Sequence, residues 1–467
     1  MVSEHASPLA VAGGVDSGGQ NVHVAALSAA LARSGHDVRV FTRSDSVDLP
    51  PRVATVDGYT VEHVPAGPAE PIAKDELIDL MPAFGQYLGE RLAAEPADII
   101  HAHFWMSGVA AMIAGRQLAI PVAQTFHALG VVKQRHQGAA DTSPPQRMVT
   151  ESSLCRSVDR VIATCTDEVF ELRPLGLPVD RTSVVPCGVD LDRFRPEGPA
   201  VPRGALPHRV LVISRLVPRK GIEEVVRACA GIPDVELIVA GGPPESELAT
   251  DREANRLRAI AAQLGVLDRV IFTGRVPHED MPALIRSADV VAHTPWYEPF
   301  GIVPLEAMAC GRPVVASAVG GLTDSVVSGV TGLLVAPRDP DQVRQALQAL
   351  LDDPALREGF GAAGLARAHR RFGWDRVAAQ TESVYRRTAA GSSISRCRRW
   401  GGCGERSRGR AAARTRGLRT ADPPGRPLGD GSGGCPRGRW PVAGGGQRGQ
   451  CRAGPAPDRG TGGSVRR

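Results

Sequence analysis

The sequence predicts an α/β protein made of two doubly wound domains that face one another across a cleft. Three observations predict it. Short β-branched runs alternate with helical patterns from residue 36 to residue 188, the alternation restarts at residue 209, and a Pro- and charge-rich stretch, 190–207, divides the two series. Strands that alternate with helices pair in parallel through helical crossovers. At 467 residues the chain is also too long for one core and suits two. Two Rossmann-like halves joined by a linker leave a ligand cleft between the carboxyl ends of their strands.

The elements follow in order. HDVRVFT (36–42), DIIHAHF (98–104), PVAQTFH (121–127), RVIATC (160–165) and TSVVPCG (182–188) read as strands of a first domain, residues 1–195. NVHVAALSAALARSG (21–35) reads as its first helix, capped by Gly35. Only MVSEH stands ahead of a glycine-rich loop, so the first strand is expected to be cut short. RVLVISR (209–215), VELIVAG (235–241), RVIFTG (269–274), VVAHTP (290–295), PVVASA (313–318) and GLLVAP (332–337) are strands of a second domain, 206–371, with a helix from Ile222. FGWDRVAAQTESVYRR (372–387) is one more helix, returning toward the first domain.

Residues 388–467 form a tail of different character. It holds 17 Arg and no Lys against four acids, a net +13, while the rest of the chain carries 38 basic and 46 acidic residues, a net −8. Lacking apolar periodicity, the Arg/Gly-rich tail reads as disordered or as out-of-frame translation. RNA binding would rest on the tail alone, and the mildly acidic body does not suggest a nucleic-acid partner. No apolar run reaches the ~18 residues of a membrane span, and the N-terminus lacks a signal-peptide pattern, so the expected location is the cytoplasm. Cys155, Cys165, Cys187, Cys229 and Cys310 form no CxxC pair or Cys/His cluster of zinc spacing. They read as reduced, buried thiols, and no metal site is expected.

Three motifs carry chemistry. Gly13-Gly14-Val15-Asp16-Ser17-Gly18-Gly19-Gln20 stands directly before a helix, where free N–H groups favour a phosphate. It is not GxGxxG, which disfavours a dinucleotide oxidoreductase. Arg215-Leu-Val-Pro-Arg-Lys220-Gly221 follows a strand and precedes a helix, so its two cations can clasp a diphosphate. Glu298-Pro-Phe-Gly-Ile-Val-Pro-Leu-Glu306 puts one Glu on a Gly/Pro-bounded loop and a second at the start of the expected helix EAMACG. Two carboxylates so placed can accept hydrogen bonds from sugar hydroxyls. Asp190-Leu-Asp192 lies in the linker and reads as structural.

With these motifs in this order, residues 1–387 resemble the family-4 retaining glycosyltransferases of the glycosyltransferase-B fold. The Glu298-to-Glu306 spacing, the Arg215/Lys220 pair, Gly18 and Gly19, His127 in TFHALG and the string Ala318-Val319-Gly320-Gly321-Leu322 carry the resemblance. It implies that Arg215 and Lys220 neutralise a leaving diphosphate without a metal. It further implies that Glu298 holds donor-sugar hydroxyls, that Glu306 holds the ribose, and that His127 contacts the sugar near the reaction centre. Gly18, Gly19, Phe300, Gly301 and Ile302 complete the donor site. The co-substrate is a UDP- or GDP-linked sugar, and no cofactor is implied. DSGGQNV (16–22), HAHFWMSG (101–108) and HALGVVK (127–133) look most like the branch of sucrose-phosphate synthases and inositol-phosphate GlcNAc transferases.

The acceptor side departs from that branch. The inositol-phosphate transferases place a Tyr, a Thr, a Lys and an Arg around the acceptor phosphate. Lys74 matches the Lys, but Phe104 stands at the Tyr position and Ala128 at the Thr position. Two lost hydroxyl donors cost roughly 1–3 kcal/mol each, so inositol 3-phosphate is expected to be a poor acceptor, with another sugar phosphate or a lipid- or natural-product-linked hydroxyl used instead. Lys74, Lys133, Arg135 and His136 are expected to keep this side of the cleft basic. The alternatives are a transferase of the inositol-phosphate or sucrose-phosphate type, an epimerase on the same fold, and a non-catalytic sugar-binding relative. The presence of Arg215, Lys220 and Glu298 weighs against the last.

Overall fold

The computed structural model describes residues 1–10 and 18–399, with side chains to residue 391. Gly13 to Ser17 of the glycine loop and the tail beyond Arg399 lie outside the described residues. The first domain contains β1 (Arg39–Arg43), β2 (Arg52–Ala54), β3 (Thr60–Val64), β4 (Ile100–His103), β5 (Val122–Thr125), β6 (Arg160–Ala163) and β7 (Thr182–Val184). The second contains β8 (His208–Ile213), β9 (Val235–Ala240), β10 (Val270–Gly274), β11 (Val290–His293), β12 (Val314–Ser317) and β13 (Gly332–Val335). Val- and Ile-rich strands such as β9 and β12 are buried along their whole length, as strands covered by helices on both faces must be.

The second sheet is parallel throughout, in the order β10-β9-β8-β11-β12-β13. The winding direction reverses between β8 and β11, so the loops leaving these two strands diverge and open a crevice. The first sheet has its own reversal. Val2 bridges in parallel to both Phe41 and Ala102. Its N–H donates to the His101 carbonyl at 2.8 Å, and its carbonyl accepts the His103 N–H at 2.9 Å. The short opening segment therefore joins β1-β3-β2 to β4-β5-β6-β7. It places the residues after Glu4 and after His103 side by side at the switch point.

Three local features differ from expectation. The antiparallel hairpin of β2 and β3 is additional; it turns through Asp57-Gly58, where Gly58 takes φ +86°. The last helix runs Trp374–Arg399 rather than ending at residue 387. Thr388 is buried, and its hydroxyl donates to the Val384 carbonyl at 2.8 Å, so the tail does not begin there. Val377, Ala378 and Val384 of this helix join the core that holds Val24, Leu27 and Leu31, and the helix packs against the helix Gly19–Arg33. The latter ends as expected, with Gly35 at φ +89° donating its N–H to the Ala32 carbonyl at 2.9 Å. Asp190 caps its own turn, its Oδ1 accepting from the N–H groups of Asp192 and Arg193 at 3.1 and 3.0 Å. All five body cysteines are free and buried. Among the described residues no helix is long and apolar enough to cross a membrane.

Candidate active site

The expected donor side is built at the switch point of the second sheet. The chain leaves β8 through Arg215, makes a 3-10 turn at Pro218–Lys220, and enters the helix Ile222–Ala230 through Gly221 at φ +68°. Gly221 is required by contact as well as by φ: a Cβ there would stand 1.8 Å from the Thr294 carbonyl oxygen. The Thr294 hydroxyl donates to the Gly221 carbonyl at 2.8 Å. The cationic loop is thus packed onto the loop that leaves β11 and carries Glu298. The Gly320-Gly321 pair supports that loop from the other side. A Cβ on Gly320 would lie 2.0 Å from the Glu298 carbonyl oxygen, and the Gly321 N–H donates to that oxygen at 3.0 Å. The glycine string downstream of the paired glutamates therefore acts by close backbone approach.

The side chains fall into an electrostatic pattern. Lys220 Nζ pairs with Glu298 Oε2, and His293 Nε2 lies 3.3 Å from the same oxygen. Burial pushes the Glu298 carboxyl up, but Lys220 and His293 outweigh it and hold the group well below the ordinary carboxylate range. Arg215 is exposed and makes no side-chain hydrogen bond or ion pair among the described residues. Glu306 corrects an expectation. The helix begins at Ile302, after Gly301 at φ +84°, rather than at Glu306. Left-handed Gly301 starts the helix early, and Pro304 fits its first turn, where its missing N–H has no intrahelical partner to lose. Glu306 thus sits in the second turn, nearly buried, 3.6 Å from His278 Nε2.

The expected acceptor side is built from two non-glycine residues in left-handed backbone, Phe104 at φ +83° and His127 at φ +61°. Strain of this kind persists only where surroundings fix it. The Phe104 N–H donates to the Thr125 carbonyl at 2.8 Å, and Gln124 Nε2 donates to the Phe104 carbonyl at 2.9 Å. Lys74 Nζ and Arg147 Cζ each lie 5.1 Å from the centre of the Phe104 ring. Burial, with Arg147 and Lys133 nearby, lowers the Lys74 ammonium below the ordinary lysine range. Arg147 is buried at the start of the helix Arg147–Ser157. Its Nε pairs with Glu151 at 2.8 Å, and it donates to Ser143 Oγ at 3.1 Å and the Ala128 carbonyl at 2.9 Å. Three of its five N–H groups are thereby used, leaving two for a ligand.

The expected basic face is narrower than charge counting implied. Lys133 pairs with Asp141 at 2.9 Å, and Arg135 with Glu171 at 2.5 Å. His136 stacks on Tyr297, ring centres 5.2 Å apart. Lys74 makes no ion pair among the described residues, and Arg147, though paired with Glu151, keeps two N–H groups, so these two side chains remain as donors at this wall. Below them, His127 Nε2 meets His103 Nδ1 at 3.0 Å. The fold also brings ligand atoms of His23, His103 and His127 within 4.8 Å of one another, a grouping that residue spacing does not reveal. Burial, then the neighbouring imidazoles, lowers His127 well below the ordinary histidine range, so it stands as a neutral ring.

These parts line one cavity of about 610 Å³. Gly18, Gly19, Lys74, Phe104, His127, Ala128, Lys133, Arg215, Lys220, Glu298, Phe300, Gly301, Ile302 and Glu306 all reach it. So do His5, Arg147, Arg219, Arg275 and Trp296, which sequence reasoning did not single out. The walls also touch one another: Cys165 Sγ donates to the Pro299 carbonyl at 3.2 Å, and the Thr166 N–H to the Asp324 carboxylate at 2.5 Å.

Comparison with known proteins agrees with this architecture. The family model for glycosyl transferases group 1 matches residues 205–367, and that for glycosyltransferase family 4 matches residues 17–193. The D-inositol 3-phosphate glycosyltransferase of Acidothermus cellulolyticus is 39% identical over 404 residues, 83% of this chain and 89% of the relative. The chain belongs to the glycosyltransferases of group 1 and family 4. The D-inositol 3-phosphate glycosyltransferase of Mycobacterium tuberculosis is 38% identical to this transferase over 412 residues, covering 86% of this chain and 85% of the relative. Among solved structures, the sucrose-phosphate synthase of Thermosynechococcus elongatus superposes with a TM-score of 0.75 at 33% identity, covering 84% of this transferase and 98% of that chain. The fold of the transferase is the glycosyltransferase-B fold.

Proposed function

We propose that this transferase moves the sugar of a nucleotide-diphosphate donor, with retention, to a hydroxyl of a phosphorylated cyclitol or sugar. The observation that carries the reading is the placement of Lys74 and Arg147 over Phe104, in the same cavity as Arg215 and Lys220. One cationic pair suits a diphosphate, and the other suits a second phosphate. Arg147 supplies the arginine of the inositol-phosphate pattern, and the names of the relatives favour the same acceptor class. Inositol 3-phosphate, expected from the sequence to be a poor acceptor, thus becomes the first acceptor to test.

The donor diphosphate takes Lys220 from Glu298 and recruits the free Arg215 as a preorganised clamp on the leaving charge. Glu298, released from its partner, accepts from sugar hydroxyls, and Glu306 from the ribose. The acceptor oxygen bonds to the anomeric carbon on the face from which the diphosphate oxygen departs. That oxygen takes the acceptor's proton, so no protein base is needed beside neutral His127. Transfer to inositol 3-phosphate should exceed transfer to inositol by at least about tenfold, the order of one charge-assisted contact. Phe104→Tyr with Ala128→Thr should lower KM for the phosphorylated acceptor. Equal use of the two acceptors would remove the reading.

A further inference from the structure

We propose that His23, His103 and His127 form a binding site for one divalent ion of the zinc class, and that the bound ion stops transfer. The inhibition rests on the proposed function, in which His127 lies beside the reacting sugar; the ion site itself does not. The juxtaposition comes from three elements. His23 lies in the opening turns of the helix Gly19–Arg33, His103 ends β4, and His127 stands two residues beyond β5, the parallel neighbour of β4. The ring centres are 5.6 Å apart for His23 and His103, 5.0 Å for His23 and His127, and 5.2 Å for His103 and His127. Three imidazoles that share a tetrahedral ion at roughly 2.0–2.1 Å hold their ring centres about 5 Å apart and their ligand nitrogens about 3.3 Å apart. The triangle of rings already has the first spacing, and ligand atoms within 4.8 Å of one another reach the second by small ring rotations.

The cluster has polar capacity to spare. His103 Nδ1 meets His127 Nε2, and His23 Nδ1 lies 3.2 Å from Cys187 Sγ. The other three ring nitrogens have no hydrogen-bond partner among the described residues, and one of them, His103 Nε2, is buried. A buried nitrogen without a partner calls for an explanation, and a cation shared by three neutral imidazoles is one. No carboxylate pairs with any of the three rings among the described residues, and the neutral ring is the metal-binding form. The surroundings hold the rings in place. The His101 ring lies 4.1 Å from that of His103, but its own nitrogens are engaged by the Tyr385 hydroxyl at 2.6 Å and the Thr125 hydroxyl at 2.9 Å, so it is a wall rather than a ligand. Trp374 meets His23 edge to face, centres 5.4 Å apart, and His127 is fixed in left-handed backbone. Entry is from the cavity, which His127 and Cys187 both line; water or an anion on that side completes the ion's shell, as in open zinc sites. Imidazole ligands select zinc, copper or nickel over magnesium and calcium. An ion so held occupies His127 and sets its charge beside the sugar, so ion and donor sugar exclude one another.

The test uses the full chain, freed of metal with EDTA and desalted, with ZnCl2 and CoCl2 as probes. Binding is followed by calorimetry and by the visible absorption of cobalt, and neither readout needs activity. His23→Gln and His103→Gln each remove one ligand and should weaken one ion per chain by at least about a hundredfold, more than the loss of an outer-shell partner costs. Ions held by cysteines are common to all three proteins and drop out of the difference. X-ray absorption at one equivalent of zinc reads the ligand set in the native protein, where three imidazoles are expected, so the test does not depend on the variants' folding. Zinc that fills the native site should abolish native turnover, with recovery on adding EDTA, while His23→Gln keeps its own turnover at the same zinc concentration. A native protein that binds no zinc, or variants that bind it as the native protein does, would overturn the site. Binding that both variants lose while native turnover resists zinc would overturn the inhibition and leave the site in place. A native protein that binds zinc but transfers no sugar in its absence would refute the proposed function and not the site.

Discussion

Arg215→Ala and Lys220→Ala each remove one cation from the same loop, yet the structure predicts different costs. Arg215 is exposed and unpaired among the described residues, so its loss breaks no contact of the free protein and should leave the melting temperature unchanged. Lys220 is paired with Glu298, and both side chains are 14% exposed. Its removal strands a largely buried carboxylate with only His293 at 3.3 Å. Breaking a buried pair costs roughly 3–5 kcal/mol; the residual exposure and His293 place this one at the lower end, about 3 kcal/mol, or several degrees of melting temperature. In the proposed role, both variants also lose a contact to the leaving group. That contact is worth ~3–4 kcal/mol in the transition state, a fall of roughly 10²–10³ in kcat.

The pH dependence separates the two variants further. Glu298 is held below the ordinary carboxylate range, so the stability it contributes is present above that range and is lost only as pH falls through the depressed value. Without Lys220, burial dominates and favours the neutral acid. Lys220→Ala should therefore recover stability as pH falls from about 7 toward about 5, whereas the native protein and Arg215→Ala should not. Calorimetric melting across that range, alongside nucleotide release, measures both effects. A Lys220→Ala protein that melts like Arg215→Ala at every pH would refute the pairing argument, and near-normal turnover in both variants would remove the diphosphate assignment.

Two further predictions follow from backbone geometry. A Cβ on Gly320 would sit 2.0 Å from the Glu298 carbonyl oxygen, so Gly320→Ala should displace the Glu298 loop and cut kcat/KM for the donor at least about tenfold, a loss typical of misplaced catalytic geometry; Gly359→Ala, which meets nothing within 4 Å, should be silent, and equal behaviour of the two would discount the close-approach argument. Truncation after Arg399 should leave melting and turnover unchanged, whereas truncation after Arg387 removes buried Thr388 and should lower the melting temperature; indifference to the shorter cut would place the helix end where the sequence first suggested.

What the sequence disclosed divides along physical lines. The long Val/Ile runs at β8 and β9 and the helix before Gly35 are local patterns, and local patterns are visible in one dimension. The Arg215-to-Lys220 and Glu298-to-Glu306 strings were visible because each lies on a single strand-to-helix connection. The β2–β3 hairpin is short and half exposed, so its only signal was Asp57-Gly58. Arg147 and His5 escaped for a different reason. Arg147 reads as one more helical cation, and only the fold stacks it over Phe104, 43 positions earlier in the sequence. His5 reaches the site because a very short segment pairs at the sheet's centre. Charge counting failed at Lys133 and Arg135 because their partners, Asp141 and Glu171, are fixed by tertiary packing.

The central claim is most directly tested by product analysis. Purified protein, UDP- and GDP-sugars in turn, and inositol 3-phosphate or fructose 6-phosphate would be incubated with EDTA present, and the product examined by mass and by anomeric proton coupling. The account predicts one glycosylated phosphate ester per nucleoside diphosphate released, the donor's anomeric configuration kept, and a rate indifferent to EDTA. Inverted product, loss of activity that a divalent ion restores, or nucleotide release without any glycosylated phosphate ester would contradict it.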